Sequence, residues 1–429
     1  MALTALISCS ADDNNYTKEP TPAPPAERFE VFQLLNPTDI PYRIPALATT
    51  KSGRLVAVAD YRHSGTDIGV TDKGRIDLHY RYSEDNGNTW SKVMSLIDGK
   101  GAESPDFMNV GYGDPCIVAD RESERVLLLS CAGNVSFQNG TRQNHQCIAR
   151  FYSEDGGKTW GAPEDIAEGI YAQFDNSNYG PVRSMFVASG RIFQSRMVKI
   201  GGYYRLYCAV LVRDKSATHM NYVLYSDDFG GEWHILGDIN TPAVYNTADE
   251  PKVEELPDGS LLISSRYTGG RYYNIYTFTD AATAAGSWDK AAFSGAANNG
   301  VVANNNSTNG EVMVLPVVRT EDDEPMSLLL QSVPMGPERT NVGIYYKEII
   351  DEAIYTPMLL AKDWTGVKQI TTLPSAYSTM SWQKDNRLGF LYEEETYGKN
   401  NFAYGGYTMV YECLTVEDIT DGKYRYRKE

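Results

Sequence analysis

The chain has 429 residues, of which 11% are aromatic and 37 are glycine, and its formal net charge at pH 7 is −17. That charge argues against a nucleic-acid partner, because binding phosphates requires a dense basic field. It does not exclude small anionic substrates, since a few converging arginines can bind a carboxylate on an acidic protein.

The first 28 residues are predicted to lie outside the folded body. Residues 6–9, LISC, resemble a bacterial lipobox, in which the cysteine is lipidated after signal cleavage, so Cys9 is a candidate lipid anchor. Only eight residues precede Cys9, which suggests a truncated signal sequence. Residues 10–27, rich in proline, then predict a disordered tether. We therefore expect a protein that is lipid-anchored at the periplasm or surface of a bacterial cell envelope, or secreted, and no later stretch predicts a transmembrane segment.

Residues 29–429 are predicted to form one large all-β body. Short apolar runs such as residues 54–60 and 125–130 stand between turns of Gly, Asn and Asp. Thirty tyrosines also favour strands over helices, and no long segment has a helical apolar period.

The cysteines and histidines predict no metal centre. The six cysteines show no CxxC or CxxH pair, and the five histidines form no ligand spacing. A Cys116–Cys131 or Cys131–Cys147 disulfide stays open, because sequence cannot supply the geometry that a disulfide requires. We expect no metal ion and no organic cofactor.

One octet recurs along the chain: SEDNGNTW at residues 83–90, SEDGGKTW at 153–160 and SDDFGGEW at 226–233. Asp and Ser suit turn amides, Gly supplies a positive φ, and Trp can bury its ring between neighbouring sheets. The regular spacing of about 70 residues indicates one octet per blade of a β-propeller, and the chain length then gives about six blades.

These octets resemble the Asp boxes of the sialidase (neuraminidase) superfamily, and YRIP at residues 42–45 resembles its arginine motif, with similarity over residues 29–429. The resemblance implies a six-bladed propeller of four-stranded antiparallel blades and an exo-α-sialidase of glycoside hydrolase family 33. Sialic acid carries a carboxylate on its anomeric carbon, so such an enzyme needs fixed positive charge there. The family pattern places a substrate-binding triad at Arg43, Arg266 and Arg339, with Arg271 and Arg319 as rivals.

A tyrosine nucleophile suits such a substrate, because an anionic Asp or Glu would be repelled by the anomeric carboxylate. The segment around Tyr377 resembles the family's nucleophile segment. Its proton acceptor is then expected at Glu250, with Asp249 and Glu254 as alternatives, because a phenol needs a neighbouring carboxylate to take its proton during attack.

The remaining site residues also come from the resemblance. Asp67, in the loop after Arg62, matches the acid/base catalyst, with Asp72 as rival. Arg62 and Asp114 are expected to contact ring substituents, and Glu393 is expected to hold Arg43 by a bidentate pair.

The sequence thus predicts a retaining exo-α-sialidase that acts on sialylated glycans, and we expect it to be a monomer. Two alternatives stay open. One is an inactive sialoglycan-binding propeller, which need not keep both Asp67 and Tyr377. The other is a propeller hydrolase, lyase or transferase for a related nonulosonic acid.

Overall fold

The computed structural model describes residues 28–35, 39–70, 74–246, 248–303, 307–350, 354–395 and 407–428. Cys9, the candidate lipid anchor, lies outside the described residues, so its lipidation stays a prediction. The described residues form six small sheets arranged as a six-bladed β-propeller. No described helix is both long and apolar enough to cross a membrane.

The first half of the chain builds three blades. After β1 (Phe29–Phe32), the first blade consists of β2 (Tyr42–Thr49), β3 (Leu55–Arg62), β4 (Ile76–Ser83) and β5 (Met94–Ile97). The second consists of β6 (Tyr112–Ala119), β7 (Val126–Ala132), β8 (Cys147–Ser153) and β9 (Glu164–Asp165), and helix α1 (Ala167–Phe174) follows it. The third contains β10 (Ser184–Val187), β12 (Phe193–Ile200), β13 (Tyr203–Arg213), β14 (His219–Ser226), β15 (His234–Ile235) and β16 (Val244–Tyr245), whereas the short β11 (Gly190–Arg191) pairs with β6.

The second half builds the other three. The fourth blade consists of β17 (Pro251–Glu255), β18 (Leu261–Tyr267), β19 (Gly270–Asp280), β20 (Ala285–Trp288) and β21 (Ala292–Gly295). The fifth consists of β22 (Val312–Arg319), β23 (Pro325–Pro334), β24 (Val342–Ile349) and β25 (Gly366–Gln369), with helix α2 (Pro357–Ala361) before β25. The sixth consists of β26 (Ser375–Trp382), β27 (Leu388–Glu394) and β28 (Thr408–Leu414), and the chain then passes through α3 (Val416–Thr420) to β29 (Tyr424–Tyr426), which pairs with β22.

The ring closes by joining the two ends of the described chain. Strand β1 pairs antiparallel with β28, with Phe29 opposite Tyr411 and Glu30 opposite Val410, so it is the outermost strand of the sixth blade. The apolar core is divided in the same way: six clusters of buried side chains each lie between two adjacent blades. Stability therefore comes from blade-to-blade packing, and closure buries the last of these interfaces.

The three octets all connect the third strand of a blade to its fourth strand. In the first, the Asp85 carboxylate accepts hydrogen bonds from the Thr89 backbone at 2.8 Å and its hydroxyl at 2.6 Å, while Ser83 Oγ accepts one from the Gly87 amide at 2.9 Å. The predicted role as turns is confirmed. Trp90 is only half-buried, but its ring packs edge-on against Tyr411 of the sixth blade at 5.4 Å, so the octet also ties neighbouring blades together.

The cysteine chemistry is simpler than the sequence allowed. Cys116, Cys131, Cys147, Cys208 and Cys413 are all buried free thiols. Neither disulfide that the sequence left open is present. The described part of the propeller is therefore held together by packing and hydrogen bonds.

Candidate active site

The predicted site residues converge at one end of the propeller. Each blade's first strand begins at this end and its second strand finishes there, so residues at those positions meet around the central axis. The Asp-box turns follow the third strands and lie at the opposite end. A cavity of about 980 Å³ opens at the first end, and eight of the predicted site residues line it: Arg43, Arg62, Asp67, Asp114, Glu250, Arg266, Arg339 and Tyr377.

Tyr377 and Glu250 form the centre of this cavity. The Tyr377 hydroxyl donates a hydrogen bond of 2.6 Å to Glu250 Oε1, although the two residues are 127 positions apart. Burial, followed by the charge of Glu250, raises the pKa of Tyr377 well above its ordinary value. A free phenolate is therefore disfavoured, and the phenol can react only if its proton moves to Glu250 as the new bond forms.

Three arginines surround the Tyr377 side chain. Arg266 Nη1 lies 3.3 Å from the Tyr377 hydroxyl and 2.8 Å from Glu250 Oε2. The guanidinium carbon of Arg43 lies 5.7 Å from the centre of the Tyr377 ring, and that of Arg339 lies 6.0 Å from it. The structure thus brings the whole predicted triad to one place, and it concentrates positive charge over the tyrosine.

Glu393 is fully buried and holds two of these residues. Its carboxylate accepts hydrogen bonds from Arg43 Nε at 2.8 Å and Arg43 Nη2 at 3.4 Å, and also from the backbone amides of Ile44 at 2.7 Å and Tyr377 at 3.1 Å. The sequence interpretation included the bond to Arg43 but missed the bond to the Tyr377 amide. One carboxylate therefore fixes the position of an arginine and of the phenol relative to each other.

Arg62 is surrounded by three carboxylates. Its guanidinium donates to Asp60 Oδ2 at 2.8 Å and to Asp67, and it lies 3.7 Å from Asp114 Oδ1. The charge of Arg62 lowers the pKa of Asp67. Burial, followed by the charge of Asp60, raises the pKa of Asp114 well above its ordinary value. Burial therefore favours the neutral form of Asp114, which can donate a hydrogen bond, whereas the charge of Arg62 favours the ionised form of the exposed Asp67.

Two positions in the site adopt left-handed backbone. Ile44 has φ of 58° and Asp114 has φ of 54°, and a proline follows each. The pairing register shifts between Arg43 and Ala46 in β2 and between Gly113 and Cys116 in β6. These bulges turn the neighbouring side chains toward the axis, at a conformational cost of about 1–3 kcal/mol per residue.

The rival residues lie elsewhere or make other contacts. Arg271 is fully buried inside the fourth blade, where it bonds Ser264, and burial lowers its pKa to about 10. Arg319 pairs with Asp322 at 2.8 Å, as an exposed arginine would.

The two carboxylates that were alternatives to Glu250 also make other contacts. Glu254 is buried and pairs with Arg191 at 2.6 Å, while Asp249 lines the cavity 3.8 Å from Arg266. Of these three carboxylates, Glu250 is the one that accepts a hydrogen bond from the Tyr377 hydroxyl. Asp72 lies outside the described residues.

Several lining residues were missed by the sequence interpretation. Ile68, Phe137, Phe186 and Leu211 form an apolar wall in the part of the cavity contributed by the first three blades. Tyr407 packs beside Tyr377, with its ring centre 5.2 Å from the Arg43 guanidinium carbon. No local motif marks these residues, because each is an ordinary strand or loop residue until the blades assemble.

One group of described residues has the chemistry of a cation site. Ligand atoms of Asp77, His79 and Asp98 lie within 4.8 Å of one another. In the structure, however, Asp77 bonds Arg75 Nε at 3.0 Å and His63 Nε2 at 2.7 Å. A cation would have to replace the charge of Arg75, so the donor set is better described as an ion-pair network beside the site.

The assembled groups define what the cavity can do chemically. Three arginines can bind a carboxylate, a phenol with a paired base can act as a nucleophile, and an exposed Asp can exchange a proton with a bound group. The roles assigned to individual residues stay predictions, but the geometry places those residues together.

The chain is similar in sequence to known bacterial sialidases. No protein-family model matches the chain. The sialidase of Bacteroides fragilis (strain YCH46) is 29% identical to it over 244 residues, which are 53% of this chain and 40% of that protein. Matches to three bacterial sialidases span between 32% and 55% of their lengths.

Solved structures match over most of the chain. A Hadza microbial sialidase superposes with a TM-score of 0.65 at 21% identity, covering 89% of this chain and 67% of its own. The intramolecular trans-sialidase from Ruminococcus gnavus superposes with a TM-score of 0.66 at 18% identity, covering 90% and 98%. The chain thus has the six-bladed propeller fold of the sialidases and is similar in sequence to bacterial sialidases.

Proposed function

We propose that the protein is a retaining exo-α-sialidase that hydrolyses terminal α-linked sialic acid from glycans. One observation carries the proposal: the Tyr377 hydroxyl bonds Glu250 at 2.6 Å within a ring of three arginines. A tyrosine paired with a base and surrounded by cations suits attack on a carbon that already carries a carboxylate.

Substrate binding follows from the charges in the cavity. The carboxylate of the sugar binds Arg43, Arg266 and Arg339, where bidentate hydrogen bonds fix its orientation. Arg62 and Asp114, whose neutral form burial favours, then face the ring hydroxyls. Binding of the sugar at Arg62 releases Asp67 from its ion pair, which raises the Asp67 pKa toward the range in which it can donate a proton.

In the first step, the Tyr377 oxygen attacks C2 while its proton moves to Glu250. The bond from C2 to the glycosidic oxygen breaks, and Asp67 protonates that oxygen so that the aglycone leaves as an alcohol. In the second step Asp67 removes a proton from water, whose oxygen attacks C2. Tyr377 leaves and recovers its proton from Glu250, and sialic acid is released with its original anomeric configuration.

The test compares two tyrosines in the same cavity. Tyr377→Phe should lower kcat/KM for the 4-methylumbelliferyl α-glycoside of N-acetylneuraminic acid by at least ~10²-fold, since it removes the nucleophilic oxygen. Tyr407→Phe removes an equally buried hydroxyl that does not bond Glu250 and should stay within about threefold of wild type, because its ring still packs on Arg43. Equal losses in both variants would contradict the proposed role of Tyr377.

A second comparison tests Asp67. Asp67→Ala should lower turnover of sialyllactose by ~10²–10⁴-fold but affect the methylumbelliferyl glycoside much less, because that leaving group needs little protonation. A loss of the same size on both substrates would show that Asp67 does not protonate the leaving group.

Product analysis separates the remaining alternatives. Proton NMR of a fresh reaction should show the α-anomer of free sialic acid first, as retention requires. Formation of an anhydro sugar or of a transferred sialoside would instead show that the protein is a transferase. A wild type that is inactive but still binds sialyllactose would show that it is a sialoglycan-binding protein.

A further inference from the structure

A second groove adjoins the catalytic cavity. It has a volume of about 430 Å³ and is formed by loops of the third and fourth blades. Asp249 and Arg266 line both the groove and the cavity, so the two spaces share a wall. The groove takes no part in the proposed catalytic steps.

The lining of the groove suits a neutral, polar group that carries a small apolar end. The hydroxyls of Thr218 and Thr268, the Asn246 amide and the His219 ring line it together with the exposed ring of Tyr267. The His219 ring packs edge-on against Phe137 of the cavity wall, with ring centres 5.4 Å apart. The hydroxyls, amide and imidazole can hydrogen-bond a carbonyl, and an aromatic face can pack against a methyl group.

Charge disfavours an anionic occupant. The Asp249 carboxylate stands at the shared wall and is 42% exposed. The one arginine there, Arg266, already pairs with Glu250 at 2.8 Å and lies 3.8 Å from Asp249. A sulfate, phosphate or second carboxylate would meet Asp249 without a free cation among the described lining residues.

The position of the groove identifies the part of the sugar that reaches it, provided that the proposed function holds. The glycosidic oxygen then lies beside Asp67 of the first blade, and Arg62 and Asp114 contact one edge of the ring between the first two blades. The opposite edge of the ring faces the third and fourth blades, and we take it to be the C6 edge, which carries the three-carbon polyol. Because the fourth blade is diametrically opposite the first, the groove lies away from the leaving group.

The volume exceeds what an unmodified polyol needs. At roughly 30 Å³ for each water-sized atom in a liquid, the six heavy atoms of that tail fill less than half of the groove. We infer that the groove is a subsite for an O-acyl group on the exocyclic polyol, so that sialosides with a 9-O-acetyl group are substrates.

The experiment uses a matched pair of substrates, the α-2,3-sialyllactosides with and without a 9-O-acetyl group. Wild type should hydrolyse both with kcat/KM values within about threefold. Thr268→Trp places an indole in the groove from an exposed turn and should lower kcat/KM for the acetylated substrate by at least ~10-fold, with less than about twofold change on the other, because pockets discriminate small groups by such factors.

Two further variants make the result interpretable. Thr320→Trp changes another exposed turn threonine, on the β22–β23 connection at the opposite end of the propeller, and should leave the ratio of the two kcat/KM values unchanged. Tyr267→Ala removes the aromatic wall by truncation and should lower the same ratio by about threefold or more. This second route tests the groove even if the Thr268→Trp protein does not fold.

The outcomes separate the groove from the reaction itself. Hydrolysis of the unsubstituted substrate with rejection of the acetylated one would overturn the subsite and leave the proposed function standing. The subsite would also fail if the groove variants affected both substrates equally. Hydrolysis of neither substrate by wild type would overturn the subsite and the proposed function together.

Discussion

Replacing Glu393 by Gln should separate this site from ordinary core packing, because one buried carboxylate bonds both Arg43 and Tyr377. The carboxylate is fully buried and accepts from Arg43, from the Ile44 amide and from the Tyr377 amide. Gln keeps the shape but removes the charge, and one end of its amide then presents N–H groups to donors. Arg43, itself buried, loses its ion-pair partner.

The expected magnitude follows from these contacts. Removing one partner of a buried ion pair costs about 3–5 kcal/mol of folding free energy, which includes the donors left unsatisfied. At about 2.1 cal/mol/K of unfolding entropy per residue, a chain of 429 residues loses about 1 °C of melting temperature for each kcal/mol, so the melting temperature should fall by ~4 °C. Misplacement of Arg43 and Tyr377 should also lower kcat/KM by ~10²-fold, with kcat falling and KM rising.

The neighbouring residue provides a matched control. Glu394 is equally buried on the same strand, but it bonds Arg28, whose side chain is 39% exposed. Glu394→Gln should therefore destabilise the fold by less and leave kcat/KM within about twofold of wild type. Thermal melts and kinetics should be measured at a temperature where every variant is folded. If both variants lost activity equally, or if Glu393→Gln kept wild-type kinetics, the assigned role of Glu393 would be wrong.

Three further predictions concern stability. Burial raises the pKa of Asp60 to about 6, so between about pH 4 and pH 6 the folded protein binds a proton that the unfolded chain has lost. The free energy of unfolding should therefore decrease by about 3 kcal/mol as pH rises through this range. In urea titrations at several pH values, Asp60→Asn should show a smaller decrease. Lys252→Met leaves buried Glu311 without its 3.3 Å partner and should cost about 3–5 kcal/mol in urea unfolding, whereas adding Glu311→Leu should recover more than half of that loss. In the first two octets a threonine hydroxyl donates a hydrogen bond to the aspartate, whereas the third octet has Glu232 at that position. Glu232→Thr should add the same bond to Asp228 and raise the free energy of unfolding by about 0.5–1.5 kcal/mol, and an unchanged free energy would contradict this.

The fold was predictable because its signal is local. Each octet contains every group that its turn requires, so three copies at equal spacing indicated blades before any long-range contact was known. The residues predicted as the triad and the nucleophile came from resemblance to a family, and the structure places them around one cavity. Their contacts could not come from spacing, since Arg43 and Glu393 are 350 positions apart and meet only after the ring closes.

Other features depend on assembly and left no mark in the sequence. The groove at Tyr267 and Thr268 is built from turns of two blades, and each turn by itself resembles any polar surface loop. Asp60 lies in a strand with no motif around it, and only the structure shows that it is buried and bonds Arg62. The cysteines were ambiguous for a related reason: a disulfide depends on the geometry of both partners, and the structure shows free thiols.

The backbone of the site combines local strand geometry with the long-range assembly of the blades. Arg43 and Asp114 lie on the first strands of two adjacent blades, and each lies at a register shift where a non-glycine residue takes positive φ immediately before a proline. A regular strand sends alternate side chains to opposite faces of its sheet, whereas the site needs side chains that point along the propeller axis. The bulges supply that direction, and a third register shift between Ser375 and Ser378 does so for Tyr377. The same edge of three inner strands thus departs from ideal geometry beside each of these side chains, and the buried Glu393 carboxylate holds two of the departures in place through the Ile44 and Tyr377 amides.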